Sequence, residues 1–275
     1  IYIVNPVVVF GSVVQIEFRP SYILLPVVAF GISLVTVGVA RFSAKPFFAP
    51  QTTSLLTAGS SAGNTGYFGI PVILALFSPE GLGVYLIMNV GHAFSDAILT
   101  YYFVARGQHT VRESLVRVFR LPSLYALMLA IACQLVGFEL PEIAITWWER
   151  FTGAVVILGM MIIGIALGRI PRLDIDAKFT AFLLATRFLL WPLVSIGIVL
   201  ADMAFFQLYN AGVYLMIITM GFVPLAGNMV AYAAQYNVRP GATATTVLIS
   251  TVLACFIVPA ALVISMWWLG VTPAA

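Results

Sequence analysis

Two long apolar segments of this chain combine asparagine with glycine and proline, residue types that can interrupt a helix and bind a ligand at the interruption. Proline removes a backbone N–H donor and clashes with the preceding helical turn, and glycine adds conformational freedom. We therefore expect both segments, 52–77 and 211–235, to be discontinuous. The interrupting residues are Gly59, Gly63, Asn64, Gly66, Gly69 and Pro71 in the first segment, and Gly221, Pro224, Gly227 and Asn228 in the second.

Such interruptions are suited to binding a ligand. The N-terminus of a half-helix offers unpaired N–H donors and the positive end of the helix dipole, and asparagine amides donate without the cost of a buried charge. Interrupted spans in matching halves of a chain are typical of transporter binding sites. The alternative is two ordinary kinked helices with small residues for close packing. The predicted substrate-binding residues are Asn64, Thr65, Gly66, Pro71, Asn89, His92, Pro224, Gly227 and Asn228.

A second polar group lies on one face of the segment 82–105. Asp96 follows His92 by four residues and Asn89 by seven, so the three side chains share a helix face. Charged groups inside a membrane span are costly and are functional candidates for that reason. The group is interpreted either as a polar wall of the site, in which Asp96 or His92 binds a coupling proton, or as a buried cluster that holds helices together. Arg187 is predicted to pair with Asp96 or to stabilise its surroundings.

Enzymatic chemistry is disfavoured, although one hydrolase motif is present. Residues 59–63 match the G-x-S-x-G nucleophile elbow, which requires a strand, a turn and a helix in an α/β sheet and here falls in an apolar segment. An intramembrane hydrolase using Ser61 therefore stands only as an alternative. A channel is another alternative, but its polar lining would be continuous along several helices. No catalytic residue, metal-ligand spacing, cofactor motif, phosphate-binding loop or nucleic-acid footprint is predicted.

The composition places these segments in lipid. Of 275 residues, 62% are hydrophobic and 8% are charged, whereas soluble domains carry roughly 25% charged residues. A bilayer core about 30 Å thick requires ~20 apolar residues in a helix. Nine runs are predicted to cross, at 2–17, 21–40, 52–77, 82–105, 122–138, 150–168, 179–201, 211–235 and 242–269.

The basic residues predict the orientation of these runs, because cytoplasmic loops retain Lys and Arg. Most basic residues fall in loops on one side, whereas Arg19 and Arg150 fall on the other. The longest hydrophilic stretch, 106–121, is interpreted as an amphipathic loop. The loops predicted to be cytoplasmic are 41–51, 106–121, 169–178 and 236–241.

The positions of the two interrupted segments predict an inverted repeat. The two segments cross the membrane in opposite directions. The sequence begins with Ile1 where Met would begin a chain. One additional helix before Ile1 would make each interrupted segment the fourth of five helices in its half. The predicted fold class is therefore an all-α integral membrane protein with a five-plus-five inverted helix repeat, its first helix missing. The predicted domains are 1–121, with four visible transmembrane helices and a cytoplasmic loop, and 122–275, with five.

Four motifs resemble those of the auxin efflux carrier (PIN-type) family. NTGYFGIPV at 64–72 is similar to the motif at which the family's fourth helix crosses its partner, and the resemblance covers nearly the whole chain. The short central loop is more similar to the bacterial branch, and PLAGNM at 224–229 departs from the plant pattern. The other three motifs are FRLPSLY at 119–125, TRFLLWP at 186–192 and YNVRPGATATT at 236–246.

The resemblance implies a fold and a cargo. It implies ten helices in a scaffold and a transport domain, two crossing helices as in sodium/proton antiporters or bile-acid transporters, and an elevator-like motion. It implies small organic anions as substrates, auxin in plants and dicarboxylates such as malate in bacteria, carried across the inner membrane by secondary-active or facilitative transport. The sequence leaves open which anion is carried, in which direction it moves, whether a proton or a sodium ion is the coupling ion, and whether the protein forms a homodimer. Membrane lipid is the remaining expected partner.

Overall fold

The protein is built from α-helices. A computed structural model describes residues 4–14, 22–77, 79–120, 122–148, 150–151, 161 and 175–271, and no strand forms within these ranges. The predicted all-α class is therefore confirmed. The helices are α1 (Val4–Val14), α2 (Leu25–Ala44), α3 (Pro50–Ser61), α4 (65–76), α5 (79–106), α6 (Val111–Phe119), α7 (Pro122–Leu135), α8 (Ala177–Phe206), α9 (Ala211–Phe222), α10 (Asn228–Gln235) and α11 (Pro240–Leu269), with a further helical segment over 142–148.

Three of the described helices, α2, α8 and α11, are long and apolar enough to cross a membrane on their own. A fourth candidate arises if α6 and α7, which are bent by 46° relative to one another, form one span. In the structure, each segment predicted to be interrupted forms two shorter helices. None of these four helices is long enough to cross a membrane on its own. The predicted runs 2–17 and 150–168 fall partly outside the described residues, and the count of nine spans stays a prediction.

The outer surface of α11 is suited to lipid. Phe256, Val263 and Ile264 are exposed there, and 84% of Trp267 is exposed. Soluble proteins rarely expose contiguous apolar surface of this kind, and α11 has no acidic or basic residue between Pro240 and Leu269. This helix therefore presents its outer face to hydrocarbon.

The buried apolar side chains form two large clusters that divide where the interrupted helices break. One cluster packs Leu56 of α3 with Val230 of α10, and the other packs Ile73 of α4 with Ile217 of α9. The first half of one interrupted helix therefore packs with the second half of the other. The long helix α5 contributes to both clusters and runs past the break.

Helix α5 is held against α2 by a very close approach. A methyl group on Gly91 would lie 1.8 Å from the carbonyl oxygen of Pro26, so only glycine fits at this position. Close backbone approach at small residues is the usual way in which membrane helices associate. The contact fixes the helix that carries Asn89, His92 and Asp96.

Three of the four loops predicted to be cytoplasmic meet at one end of the protein. The side chain of Arg239 pairs with Asp176, and Gln108 donates to the carbonyl of Tyr236. A hydrogen bond from the backbone N–H of Phe179, together with Arg239, holds the pKa of Asp176 below its usual value. These contacts join the starts of α8 and α11 to the loop that follows α5.

The stretch predicted to be an amphipathic loop contains a helix, α6. Its N-terminus has a capping box: the N–H of Glu113 donates to the Thr110 hydroxyl at 3.3 Å, and the N–H of Thr110 donates to the Glu113 carboxylate at 2.9 Å. Such a box satisfies two otherwise unpaired donors and starts a helix. The interpretation of 106–121 as an amphipathic loop did not anticipate this helix, because it overlooked the local capping signal.

Candidate functional site

The two interrupted helices cross at their breaks. Helix α3 ends at Ser61 and α9 ends at Phe222, and the extended residues that follow them run antiparallel. Gly63 and Leu225 form an isolated antiparallel bridge. The N–H of Asn64 donates to the carbonyl of Pro224 at 2.8 Å, and the N–H of Ala226 donates to the carbonyl of Ala62 at 3.0 Å.

These bonds allow the breaks to exist in hydrocarbon. Backbone groups freed from a helix cost several kcal/mol in lipid unless protein groups satisfy them. Each break supplies donors and acceptors to the other, and the Ser250 hydroxyl of α11 accepts from the N–H of Leu225 at 3.2 Å. The crossing is therefore a fixed polar centre inside an apolar protein.

One face of α5 contacts the crossing at three heights. Asn89 accepts from the Thr65 hydroxyl at 2.6 Å, and Nε2 of His92 donates to the carbonyl of Gly63 at 3.0 Å. Farther along, Asp96 Oδ2 accepts from the Asn228 amide at 3.0 Å. The helix face predicted from the spacing of these residues therefore contacts both interrupted helices.

Arg187 contacts the end of α9 and not Asp96. Its guanidinium donates to the carbonyls of Val223 and of Met220, the latter at 2.7 Å, and lies 4.2 Å from the centre of the Trp191 ring. In the described ranges it contacts no carboxylate. The pairing with Asp96 considered from the sequence is corrected accordingly: the guanidinium covers the last carbonyls of a helix, where the dipole is negative.

Glycine at position 63 leaves room for this guanidinium. A methyl group there would lie 2.7 Å from Nη1 and 2.9 Å from Cζ of Arg187. Because two carbonyls hold the guanidinium in place, we expect Gly63→Ala to destabilise the protein by about 1–3 kcal/mol. Denaturant titration in detergent checks this. Gly38→Ala is the matched control, since nothing lies within 4 Å of a methyl group there; equal stability of the two variants would contradict the prediction.

The structure places most predicted substrate-binding residues at the crossing, with different exposure. Asn64, Asn89 and Asn228 are half-buried, as are Gly66 and Gly227. Thr65, His92 and Pro224 are buried and hold the backbone. The Asn64 amide makes no hydrogen bond within the described residues, although its backbone is fully engaged.

Pro71 lies apart from the other predicted residues. It is exposed and follows the break by seven residues, within the first turn of Ile70–Leu76. The chain has already left the helical conformation at Ala62, well before the proline. The missing N–H of Pro71 instead coincides with a wide turn of π type at Thr65–Gly69. It shapes α4 and is not part of the crossing.

The Ser61 hydroxyl has no arrangement for nucleophilic attack. It donates to the carbonyl of Ala58 at 3.0 Å and lies 2.8 Å from the Thr100 hydroxyl. His92, which could serve as a base, is engaged with Gly63 instead. The contacts of Ser61 are those of a residue that satisfies a helix end.

Sequence reasoning missed two aromatic residues that hold the crossing. Nε1 of Trp191 donates to the carbonyl of Ser60, and the Tyr85 hydroxyl donates to the carbonyl of Thr65 at 3.1 Å. Both side chains are fully buried. The sequence signal that could have identified them is a tyrosine or tryptophan inside an apolar run, because such a side chain requires a hydrogen-bond partner when it is buried.

Comparison with known proteins places the chain among transporters. Residues 107–262, more than half of the chain, match the model of a family described as membrane transport protein. The chain is also similar to an uncharacterized transporter of Methanocaldococcus jannaschii, with 30% identity over 176 residues. That alignment covers 61% of this chain and 57% of the relative, so the chain spans little more than half of the relative's length.

Proposed function

The chain belongs to the membrane transport protein family, the auxin efflux carrier family that its motifs resemble, and we propose that it carries a small organic anion, a carboxylate, by alternating access. The carrier crosses the cytoplasmic membrane several times, as the nine-span count predicts, and the two halves at 1–121 and 122–275 form an inverted repeat. In this proposal the transport step is an elevator-like movement of the crossing relative to the remaining helices, as the family resemblance implies.

The observation that carries this proposal is the Asn64 amide. It lies half-buried at the crossing, and no described residue takes up its donors. Asn228 lies opposite, at the start of α10. Neutral amides and helix N-termini bind a carboxylate without burying a permanent charge of the protein, and such a site can release its cargo as readily as it binds it.

A carrier fits the arrangement better than a channel. The breaks are closed by backbone hydrogen bonds between Asn64 and Pro224 and between Ala226 and Ala62. Apolar clusters pack on both sides of these bonds. Amide, imidazole and carboxyl side chains are thus gathered around the two breaks, which suits a single binding site that is exposed to each side in turn.

Uptake into proteoliposomes tests the proposal. Purified protein is reconstituted, and radiolabelled mono- and dicarboxylates, including malate, are offered with matched amino acids and sugars as controls. We expect saturable uptake of at least one carboxylate and acceleration by unlabelled carboxylate inside, because exchange requires a carrier. Failure of every carboxylate would overturn the substrate class, and non-saturable flux without exchange would support a channel.

A further inference from the structure

Helix α6 exposes an apolar stripe along one of its faces. Val111, Leu115 and Phe119 follow one another at intervals of four residues and therefore lie on the same face. Their exposed fractions are 51%, 44% and 63%. Ser114 and Val118 lie on an adjacent face and are buried. Helix α6 is thus packed on the protein by one face and presents a second, apolar face to its surroundings.

Arginine residues stand beside this apolar stripe. Arg112, Val116 and Arg120, again at intervals of four, form the neighbouring stripe, and all three are exposed. Neither arginine takes part in an ion pair within the described ranges. The acidic residue of α6, Glu113, is engaged in the capping box with Thr110. The exposed surface of α6 therefore combines apolar side chains with two guanidinium groups that are available to an anion.

Helix α7 indicates the depth at which α6 lies. It begins three residues after α6 ends, lies within the predicted span 122–138 and contains no charged residue. The Tyr125 hydroxyl, on the second turn of α7, donates to the carbonyl of Phe119 at 2.7 Å, and this side chain is 56% exposed. Exposed tyrosines are typical of the level of the lipid headgroups. The end of α6 is therefore held where the apolar span begins.

Helix α6 does not continue this span through the membrane. Residues 111–120 contain three arginines and one glutamate, and charged side chains in the hydrocarbon layer are costly. The axis of α6 is also bent by 46° from that of α7. An oblique position in the headgroup region satisfies both observations, because it immerses the apolar stripe and leaves the charged side chains among polar groups.

We propose that α6 is an interfacial helix that binds anionic phospholipid of the cytoplasmic leaflet. The stripe of Val111, Leu115 and Phe119 enters the acyl-chain region, and the guanidinium groups of Arg112 and Arg120 bind the headgroup phosphates. Amphipathic helices of this composition bind membrane surfaces through their apolar area and through attraction to anionic lipids. A guanidinium binds a phosphate with two parallel hydrogen bonds. This proposal does not depend on which solute the protein carries.

A phospholipid fits this surface better than a second protein does. The exposed face of α7, formed by Tyr125, Met128 and Leu129, begins where α6 ends, so the stripe is continuous with a surface that already faces lipid. Helix α11 also faces lipid but has no basic residue between Pro240 and Leu269. The two arginines therefore distinguish α6 as a site for an anionic headgroup from surfaces that contact acyl chains alone.

Lipid titration of the purified protein in detergent, followed by native mass spectrometry, tests the headgroup site. We expect phosphatidylglycerol to bind more tightly than phosphatidylcholine. The double variant Arg112→Gln/Arg120→Gln should lose about 30-fold in affinity for phosphatidylglycerol, because each arginine near the surface contributes about fivefold. Binding of phosphatidylcholine should not change. An excess of glycerol 3-phosphate should not displace the lipid, since it has no acyl chain for the apolar stripe.

Arg150→Gln is the matched control. Arg150 is also exposed, lies 5.3 Å from the centre of the Trp147 ring and is predicted to face the opposite side of the membrane. We expect this variant to retain the preference for phosphatidylglycerol, whereas Arg112→Gln alone should lose about fivefold. Equal affinity of the wild type for the two lipids, or an equal loss in Arg150→Gln and Arg112→Gln, would overturn the proposal. Displacement of the lipid by glycerol 3-phosphate would show a phosphate site and not a lipid site.

Fluorescence quenching in lipid nanodiscs tests the apolar contact. An environment-sensitive fluorophore is attached to Phe119→Cys in a protein that also carries Cys133→Ala and Cys255→Ala. Phosphatidylglycerol with a nitroxide in its acyl chain should quench this label strongly, and should quench a label at Glu113→Cys, outside the apolar stripe, only weakly. Equal quenching at the two positions would contradict insertion of the stripe. Cross-linking of Phe119→Cys between two copies, with no quenching, would assign the stripe to an oligomer interface and overturn the proposal.

Discussion

Arg187→Gln is expected to lower the stability of the protein by about 2–4 kcal/mol and to abolish transport. The guanidinium satisfies the carbonyls of Met220, in the last turn of α9, and of Val223, just after it, and stacks on Trp191. A buried carbonyl left without a donor costs about 1–3 kcal/mol. Relief from burying a charge offsets part of this loss. The crossing would lose its fixed geometry, since the same side chain covers Gly63.

Denaturant titration in detergent and proteoliposome uptake measure the two effects. Arg239→Gln is the matched control, because its ion pair with Asp176 is exposed and such pairs contribute only about 0–1 kcal/mol. Arg187→Lys should recover part of the stability, since an ammonium group keeps the charge but lacks the planar fork that reaches two carbonyls. An Arg187→Gln protein as stable as the Arg239→Gln protein would show that the guanidinium does not hold the crossing.

The position of the breaks could be predicted from the sequence because glycine and proline act locally. Proline at 224 and glycine at 63 alter the backbone whatever surrounds them, and the structure interrupts both segments close to these residues. The shared face of Asn89, His92 and Asp96 was accessible for a similar reason, since spacing along a helix fixes direction. Local rules of this kind do not require knowledge of the neighbours.

The hydrogen-bond partners across the crossing could not be predicted from the sequence, because they depend on which helices pack together. Asp96 and Arg187 have opposite charges and lie in different spans, which made a pair between them reasonable. In the structure each is matched to a broken helix instead: Arg187 to the carbonyls that end α9, and Asp96 to the amide that begins α10. Backbone groups that lose their helical partners at a break compete with ion pairs for buried charged side chains. A sequence does not show where such backbone groups lie.

Pro71 shows that a strong local signal can mark the wrong position. Its effect on the backbone was expected at the break itself, yet the helix ends at Ser61 and begins again at Thr65. The break is set by the antiparallel bridge between Gly63 and Leu225 and by Trp191, which donates to the carbonyl of Ser60. These are contacts between segments more than a hundred residues apart, and no local rule predicts them.

Asn64→Ala is expected to weaken carboxylate transport at least about tenfold while leaving the folded protein unchanged. A hydrogen bond to a charged ligand contributes about 1.5–3 kcal/mol, and 1.4 kcal/mol is a factor of ten in affinity. The Asn64 amide makes no bond within the described residues, and its bonds to Pro224, Phe68 and Gly69 are all made by the backbone. Alanine adopts the same backbone conformation, φ −80° and ψ 58°, without a left-handed turn.

Asn210→Ala separates an effect on binding from an effect on folding. The Asn210 side chain accepts from the N–H of Val213 at 3.0 Å and caps the start of α9, away from the break at its other end. Loss of a cap costs about 0.5–2 kcal/mol of stability, so this variant should melt earlier yet bind carboxylate with unchanged affinity. Asn64→Ala should show the reverse, an increased KM at unchanged melting temperature. If Asn64→Ala instead melts earlier with an unchanged KM, the amide supports the fold and the carboxylate binds elsewhere.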